Sequence, residues 1–93
     1  MDIATITRLA IPILKRYGVK KAALFGSVVR GDATPTSDVD MLIDPPDHFS
    51  LFDLAGLHVD LEETLNKKVD FVEYSAIKPI LRDRILAYEH PIL

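Results

Sequence analysis

The order of apolar patterns predicts an α/β (α+β) fold, a small sheet of three strands with about four helices packed on it. Three observations predict it. Short β-type runs occur at Val19–Phe25, Asp38–Ile43 and Lys68–Tyr74. Apolar residues recur at three and four residue intervals in the segments between and around them. Gly18, Gly26, Gly31, Pro35, Pro45 and Pro46 fall at the changes of pattern.

Ninety-three residues make one domain with a single modest core, residues 1–93. The first helix runs from Asp2 to Tyr17, with Asp2 as N-cap and Ile3, Ile6, Leu9, Ala10, Ile13 and Leu14 on one stripe. Pro12 should bend or split it, and Gly18 ends it. Strand 1 follows, its alternation blurred because both faces are covered. After strand 2, Pro45 and Pro46 remove two donors in succession and stop pairing. Ser50 with Asp53 forms a capping box for a helix from Leu51 to Leu65, carrying Leu51, Leu54, His58, Leu61 and Leu65 at helical spacing. His58, near that stripe, is expected to be a packed, hydrogen-bonded residue rather than a ligand.

Strand 3 turns Val69, Phe71 and Glu73 one way and Lys68, Asp70, Val72 and Tyr74 the other. If the preceding helix is a crossover, strand 3 lies parallel to strand 2. The last helix spans Ser75 to Tyr88, with Pro79 in its first turn and Ile77, Ile80, Leu81, Ile85 and Tyr88 on one stripe; Arg82 and Arg84 fall on other faces. The apolar tail Ile92-Leu93 either packs back on the core or joins a partner surface.

A net charge of −3 without a basic cluster argues against direct nucleic-acid binding, because phosphate backbones demand concentrated Lys and Arg. Lys15, Arg16, Lys20 and Lys21 read as the solvated end of a helix. No cysteine is present, which fits a reducing, cytoplasmic interior and removes thiolate metal sites. Neither a signal peptide nor a membrane-spanning run is expected.

Chemistry concentrates between strands 1 and 2. Gly26 and Ser27 follow Ala22–Phe25 in a sharp turn that can start a short helix, and Gly31, Pro35 and Thr36 punctuate the return. Backbone N–H groups at such a helix start, with a hydroxyl beside them, suit phosphate. Alternation along strand 2 places Asp38 and Asp40 on one face. At roughly 4 Å and an effective dielectric near 20, two like charges cost about 4 kcal/mol, which a cation between them relieves. Oxygen ligands of this hardness suit Mg²⁺ or Mn²⁺. Metal and phosphate together imply a nucleotide. Asp70, set in an apolar strand against its propensity, is placed by a parallel strand 3 as a third carboxylate, or else it partners a nearby Lys or Arg. Arg30 either stabilises phosphate charge or lies on the surface.

Gly26-Ser27, ten intervening residues, then Asp38-x-Asp40 resembles the motif of the DNA polymerase beta-like nucleotidyltransferase superfamily. The string GSVVRGDATPTSDVDMLID resembles its smallest members, the minimal nucleotidyltransferases (MNT), which act as antitoxins beside HEPN-domain toxins. The similarity runs from about Ile3 to Leu93. It implies a palm-like fold, a three-stranded mixed sheet in the order 1-2-3. It implies Asp38, Asp40 and Asp70 as catalytic metal ligands for two Mg²⁺ ions, the first two touching both and the third the catalytic one. Gly26 and Ser27 would hold the outer phosphates of ATP. The resemblance further implies transfer of AMP to a protein hydroxyl, a tyrosine of a HEPN toxin ribonuclease, within a hetero-oligomeric complex. Two rivals stand beside it: a small-molecule acceptor, and a non-catalytic antitoxin that inhibits by contact alone.

Overall fold

The computed structural model describes residues 1–34 and 36–93, so the turn assigned to Pro35 lies outside the described residues. In chain order the elements are α1 (Ile3–Arg16), β1 (Lys21–Phe25), α2 (Ser27–Arg30), β2 (Val39–Asp44), α3 (Leu51–Leu65), β3 (Val69–Glu73), a 3-10 turn (Tyr74–Ala76), α4 (Pro79–Ala87) and β4 (His90–Pro91). The Asp2 carboxylate accepts the Thr5 N–H at 2.8 Å and caps α1. Pro12 lies inside α1 on its exposed side, so of the two outcomes expected, a bend or a split, the split does not occur. The Ser50–Asp53 capping box forms as the sequence indicates, with reciprocal bonds of 3.1 and 3.0 Å, and α3 has the predicted bounds.

The sheet has four strands in the order β3-β2-β1-β4, not three. β2 pairs antiparallel with β1 and parallel with β3, as the crossover predicts. The extra strand comes from the tail. His90 and Pro91 lie antiparallel to Leu24 and Ala23, and Ile92 and Leu93 donate to the Ala22 carbonyl at 2.9 and 3.1 Å. Of the two fates read for the tail, packing back on the core is the one adopted.

Alternation gives the sheet two unlike faces. Ala22, Leu24, Val39, Met41, Ile43 and Val69 face α1 and α3, where Ile6, Leu14, Leu57, Leu61 and Leu65 close over them to full burial. The opposite face carries a small cluster, Ala23, Leu42 and Ile77, with Phe25, Val72, Ile85 and Leu86 packed at its edge. The predicted last helix is corrected here. A 3-10 turn and an extended Ile77 precede α4, which starts only at Pro79, because proline favours the first helical position and disfavours helix in the residue before it. Its stripe is not a buried one: Ile80 is 88% exposed and Tyr88 61%.

Candidate active site

Gly26 ends β1 with φ 76° and ψ −148°, a combination essentially confined to glycine. Two consequences follow from this position. The Gly26 carbonyl accepts the Val29 and Arg30 N–H groups at 3.2 and 3.1 Å and so opens α2. The missing side chain also leaves room for Asp40, since a Cβ on Gly26 would overlap a carboxylate oxygen of Asp40 and lie 3.1 Å from its Cγ. The turn and the acidic strand therefore abut directly. With four residues α2 has little dipole, so any anion held there is held by the first-turn N–H groups and the Ser27 hydroxyl.

β2 begins at Val39, so Asp38 belongs to the preceding loop rather than to the strand as expected. It is exposed, and the loop before it is tied by Thr34 N–H to Ser37 Oγ at 2.8 Å and Ser37 N–H to Thr34 O at 3.0 Å. The Val39 N–H donates to Lys68 O at 2.8 Å and fixes this end of β2 to the start of β3. Asp40 is half-buried, and the parallel register sets it level with Asp70, which is exposed. Burial, then the charges of Asp70 and Asp38, holds the Asp40 carboxyl above its ordinary range, and the Arg30 guanidinium offsets part of the rise. Asp40 is thus the meeting point of all three charges. Arg30 Nε also lies 3.4 Å from Asp32 Oδ2.

A cleft of about 560 Å³ opens beside this turn, lined by Phe25, Gly26, Ser27, Arg30, Asp40, Arg84, Ile85 and Tyr88. It gathers four of the six candidate residues. Asp38 instead lines a separate hollow of about 550 Å³ with Ser37, Asn66 and Lys67, and Asp70 lines neither. Among the described residues, no three His, Asp or Glu side chains are gathered closely enough to form a ready-made metal cage. The donor set still fits a hard divalent cation. Mg²⁺ characteristically keeps waters and is held by one or two carboxylates together with substrate phosphates rather than by an all-protein cage. Crowded negative charge at Asp40, beside a turn with free first-turn N–H groups, is compatible with such an arrangement.

Arg84, Ile85 and Tyr88 are cleft residues that the sequence pattern did not reveal. Their position depends on where α4 returns across the sheet, and no local motif marks it. Tyr88 and Arg84, which share the cleft with Ser27, were readable only as a stripe residue and an arginine on another helix face.

An α/β sheet that presses a glycine-serine turn against paired acidic strands defines the class of nucleotidyl-transfer enzymes. A model described as the nucleotidyltransferase domain matches residues 8–92, and the chain belongs to that family, among its minimal members. It is 48% identical over 86 residues to a candidate protein adenylyltransferase of Methanocaldococcus jannaschii, covering 92% of each chain. A solved structure of a candidate minimal nucleotidyltransferase is similar at 33% identity and a TM-score of 0.83, over 98% of this chain and 96% of that one. Two more distant structures share the fold. One is a toxin–antitoxin complex with AMP-PNP, at 20% identity and TM-score 0.78, over 94% of this chain and 72% of that one. The other is a tri-AMPylated Shewanella oneidensis HEPN toxin with its MNT antitoxin, at 17% identity and TM-score 0.72, over 97% and 71%. No helix among the described residues is long and apolar enough to cross a membrane.

Proposed function

We propose that residues 1–93 act as one nucleotidyltransferase domain that moves AMP from ATP to a hydroxyl, a tyrosine, of a HEPN-type toxin and so silences it. The observation that carries this reading is the contact of Gly26 with the Asp40 carboxylate, level with Asp70 on the neighbouring strand. Phosphate-binding and acidic halves of a site meet there. The names carried by the Methanocaldococcus relative and by the HEPN–MNT complex support protein as acceptor and AMP as the transferred group.

In this reading Gly26 and Ser27 hold the outer phosphates through N–H and hydroxyl donors, and Arg30 and Arg84 neutralise charge from the cleft wall. Asp38, Asp40 and Asp70 would hold Mg²⁺, which when bound screens the triphosphate and lowers the pKa of the attacking hydroxyl. The acceptor oxygen forms a bond to the α-phosphorus as the bond to the bridging oxygen breaks. Its proton is released, and pyrophosphate leaves. Alignment of the three groups, more than covalent chemistry by the protein, supplies the rate.

The test combines the purified chain, its candidate toxin partner, Mg²⁺ and labelled ATP. The partner should gain one or more AMP masses on tyrosine, and Asp38→Ala, Asp40→Ala together should abolish the gain. Equal neutralisation of the toxin by wild type and double variant, with no mass added, would instead favour inhibition by contact. Transfer only to small molecules would keep the enzyme and discard the toxin.

A further inference from the structure

We propose that His58 and Glu62 are positioning residues for Asp70, acting through the backbone of Val69. This rests on the functional reading of Asp70 given above. β3 is an edge strand, and along a strand successive peptide groups point to opposite sides. Lys68 O accepts from Val39 on the β2 side, so the polar groups of Val69 face the open edge. An edge left this way is free to slide, fray or pair with another chain.

Two side chains of α3 close it. Glu62 Oε2 accepts the Val69 N–H at 2.9 Å. His58 Nε2 lies 2.6 Å from Val69 O, and because a carbonyl only accepts, this nitrogen carries the proton and donates it. His58 Nε2 is also 3.3 Å from Glu62 Oε2, which orients the ring. The two residues are four apart on one helix and so share a face. Phe71, the next residue of β3 on the α3 side, packs against the imidazole with ring centres 5.5 Å apart.

The clamp grips both polar groups of one residue and leaves the next to work. Val69 turns its side chain into the α1/α3 core, so Asp70 projects from the other face, level with Asp40. Its Cα is one peptide, about 3.8 Å, from the clamped residue. Asp70 is exposed, whereas Asp40 is half-buried. The backbone is what sets its aim. Loss of a group that orients a metal-ligating side chain typically changes metal affinity or activity by about 10–100-fold.

The test uses full-length chain with its partner, comparing His58→Ala and Glu62→Ala with His58→Gln and Glu62→Gln, which keep a donor and an acceptor at the same places. Expected are a fall of about 10-fold or more in kcat for the alanine variants, little change in KM for ATP, and substantial recovery in the glutamine variants. Val69 amide exchange should accelerate in the alanine variants while that of Leu24, in the central sheet, stays slow. The side-chain carboxyl ¹³C resonance of Asp70 should broaden or split in the alanine variants relative to wild type. An unchanged kcat, or a loss that follows Tm and is not recovered by glutamine, would overturn the proposal. If wild type transfers no AMP at all, the functional reading fails by itself, and the Val69 exchange and Asp70 resonance still decide the clamp: both unchanged in the alanine variants sinks it.

Discussion

The two faces of the sheet are built from the same strands and do opposite work. Toward α1 and α3, residues such as Leu24, Met41, Leu57 and Leu61 are fully buried in one apolar cluster. Toward α4, every other residue of β2 and β3 is either one of a few small-cluster members or a carboxylate, and the helix above leaves a cleft rather than a lid. Stability is concentrated on one side so that the other can hold groups that destabilise it. A protein of this size, with about 5–15 kcal/mol in total, has little room for both on one face.

The largest effect should come from breaking the closed face. Leu61→Ala removes a fully buried side chain from the centre of the α1/α3 layer and should cost about 2–5 kcal/mol. Ile77→Ala, from the thin cluster on the open face, should cost near the low end of that range because its surroundings can collapse. Urea denaturation of both variants measures the difference, and equal losses would mean that the two faces share the load.

Next in size is Gly26→Ala, expected to lower transfer by about 100-fold, the scale set by an ångström of misplacement in a reacting geometry. Its Cβ meets the Asp40 carboxylate, and alanine is strained at φ 76°. Steady-state rates, with circular dichroism to verify folding, check it. Gly31→Ala is the control on the same turn: it too has positive φ, 80°, but nothing lies within 4 Å of its missing Cβ, so it should lose stability with far less activity.

The closed face was largely legible before any coordinates. Ser50 and Asp53 announced α3, and its 3–4 spacing gave both length and buried side, since a capping box and an apolar stripe are local properties. On the open face the sequence placed the Gly26-Ser27 turn and set Asp70 beside Asp40, whereas Asp38, expected on the strand, lies in the loop before it. β4 could not be foreseen, because His90-Pro91 has no strand pattern and its partners, Leu24 and Ala23, lie far earlier in the chain. Likewise the stripe on α4 suggested a buried helix. Ile80 is instead exposed, and Arg84 and Tyr88 reach the cleft, because the chain crosses a site rather than a core at that point. Periodicity reports that a helix has an apolar side, not what that side meets.

A smaller effect would sharpen the contrast by its sign. The folded-state pKa of Asp40 is raised, so the stability linked to its protonated form is complete below the ordinary carboxylate value and lost as pH rises through the higher one. At pH 7 the ionised group is a net load on the metal-free protein. Asp40→Asn should therefore abolish transfer while raising Tm, where each 1 kcal/mol is about 4–8 °C for a domain of this size. Added Mg²⁺ should raise the wild-type Tm more than that of the variant. Calorimetry at pH 7 reads both, and a lower Tm for the variant would mean that Asp40 is held by favourable contacts rather than crowded by like charge.

The smallest expected change lies at the far end of the open face. Tyr74 Oη and Glu89 Oε2 are shielded from solvent and make no hydrogen bond of good geometry, and burial, followed by the negative charge and nearby carboxylate of Glu89, pushes the Tyr74 phenol up to about 12. A phenol that titrates higher when folded keeps its contribution below about pH 10, its unfolded value, and loses it as pH climbs toward 12. Tyr74→Phe keeps the ring under Lys21, whose Nζ sits 4.5 Å from its centre, and deletes only the ionisable oxygen. Stability at pH 7 should hardly move, since an unpaired buried hydroxyl contributes little, and the fall between pH 10 and 12 should be shallower than in wild type. Denaturation midpoints across that range measure the slope. Identical slopes would place the strain of the open face entirely at its carboxylates, and a shallower one would extend it from the Asp40 end to the strand's far edge.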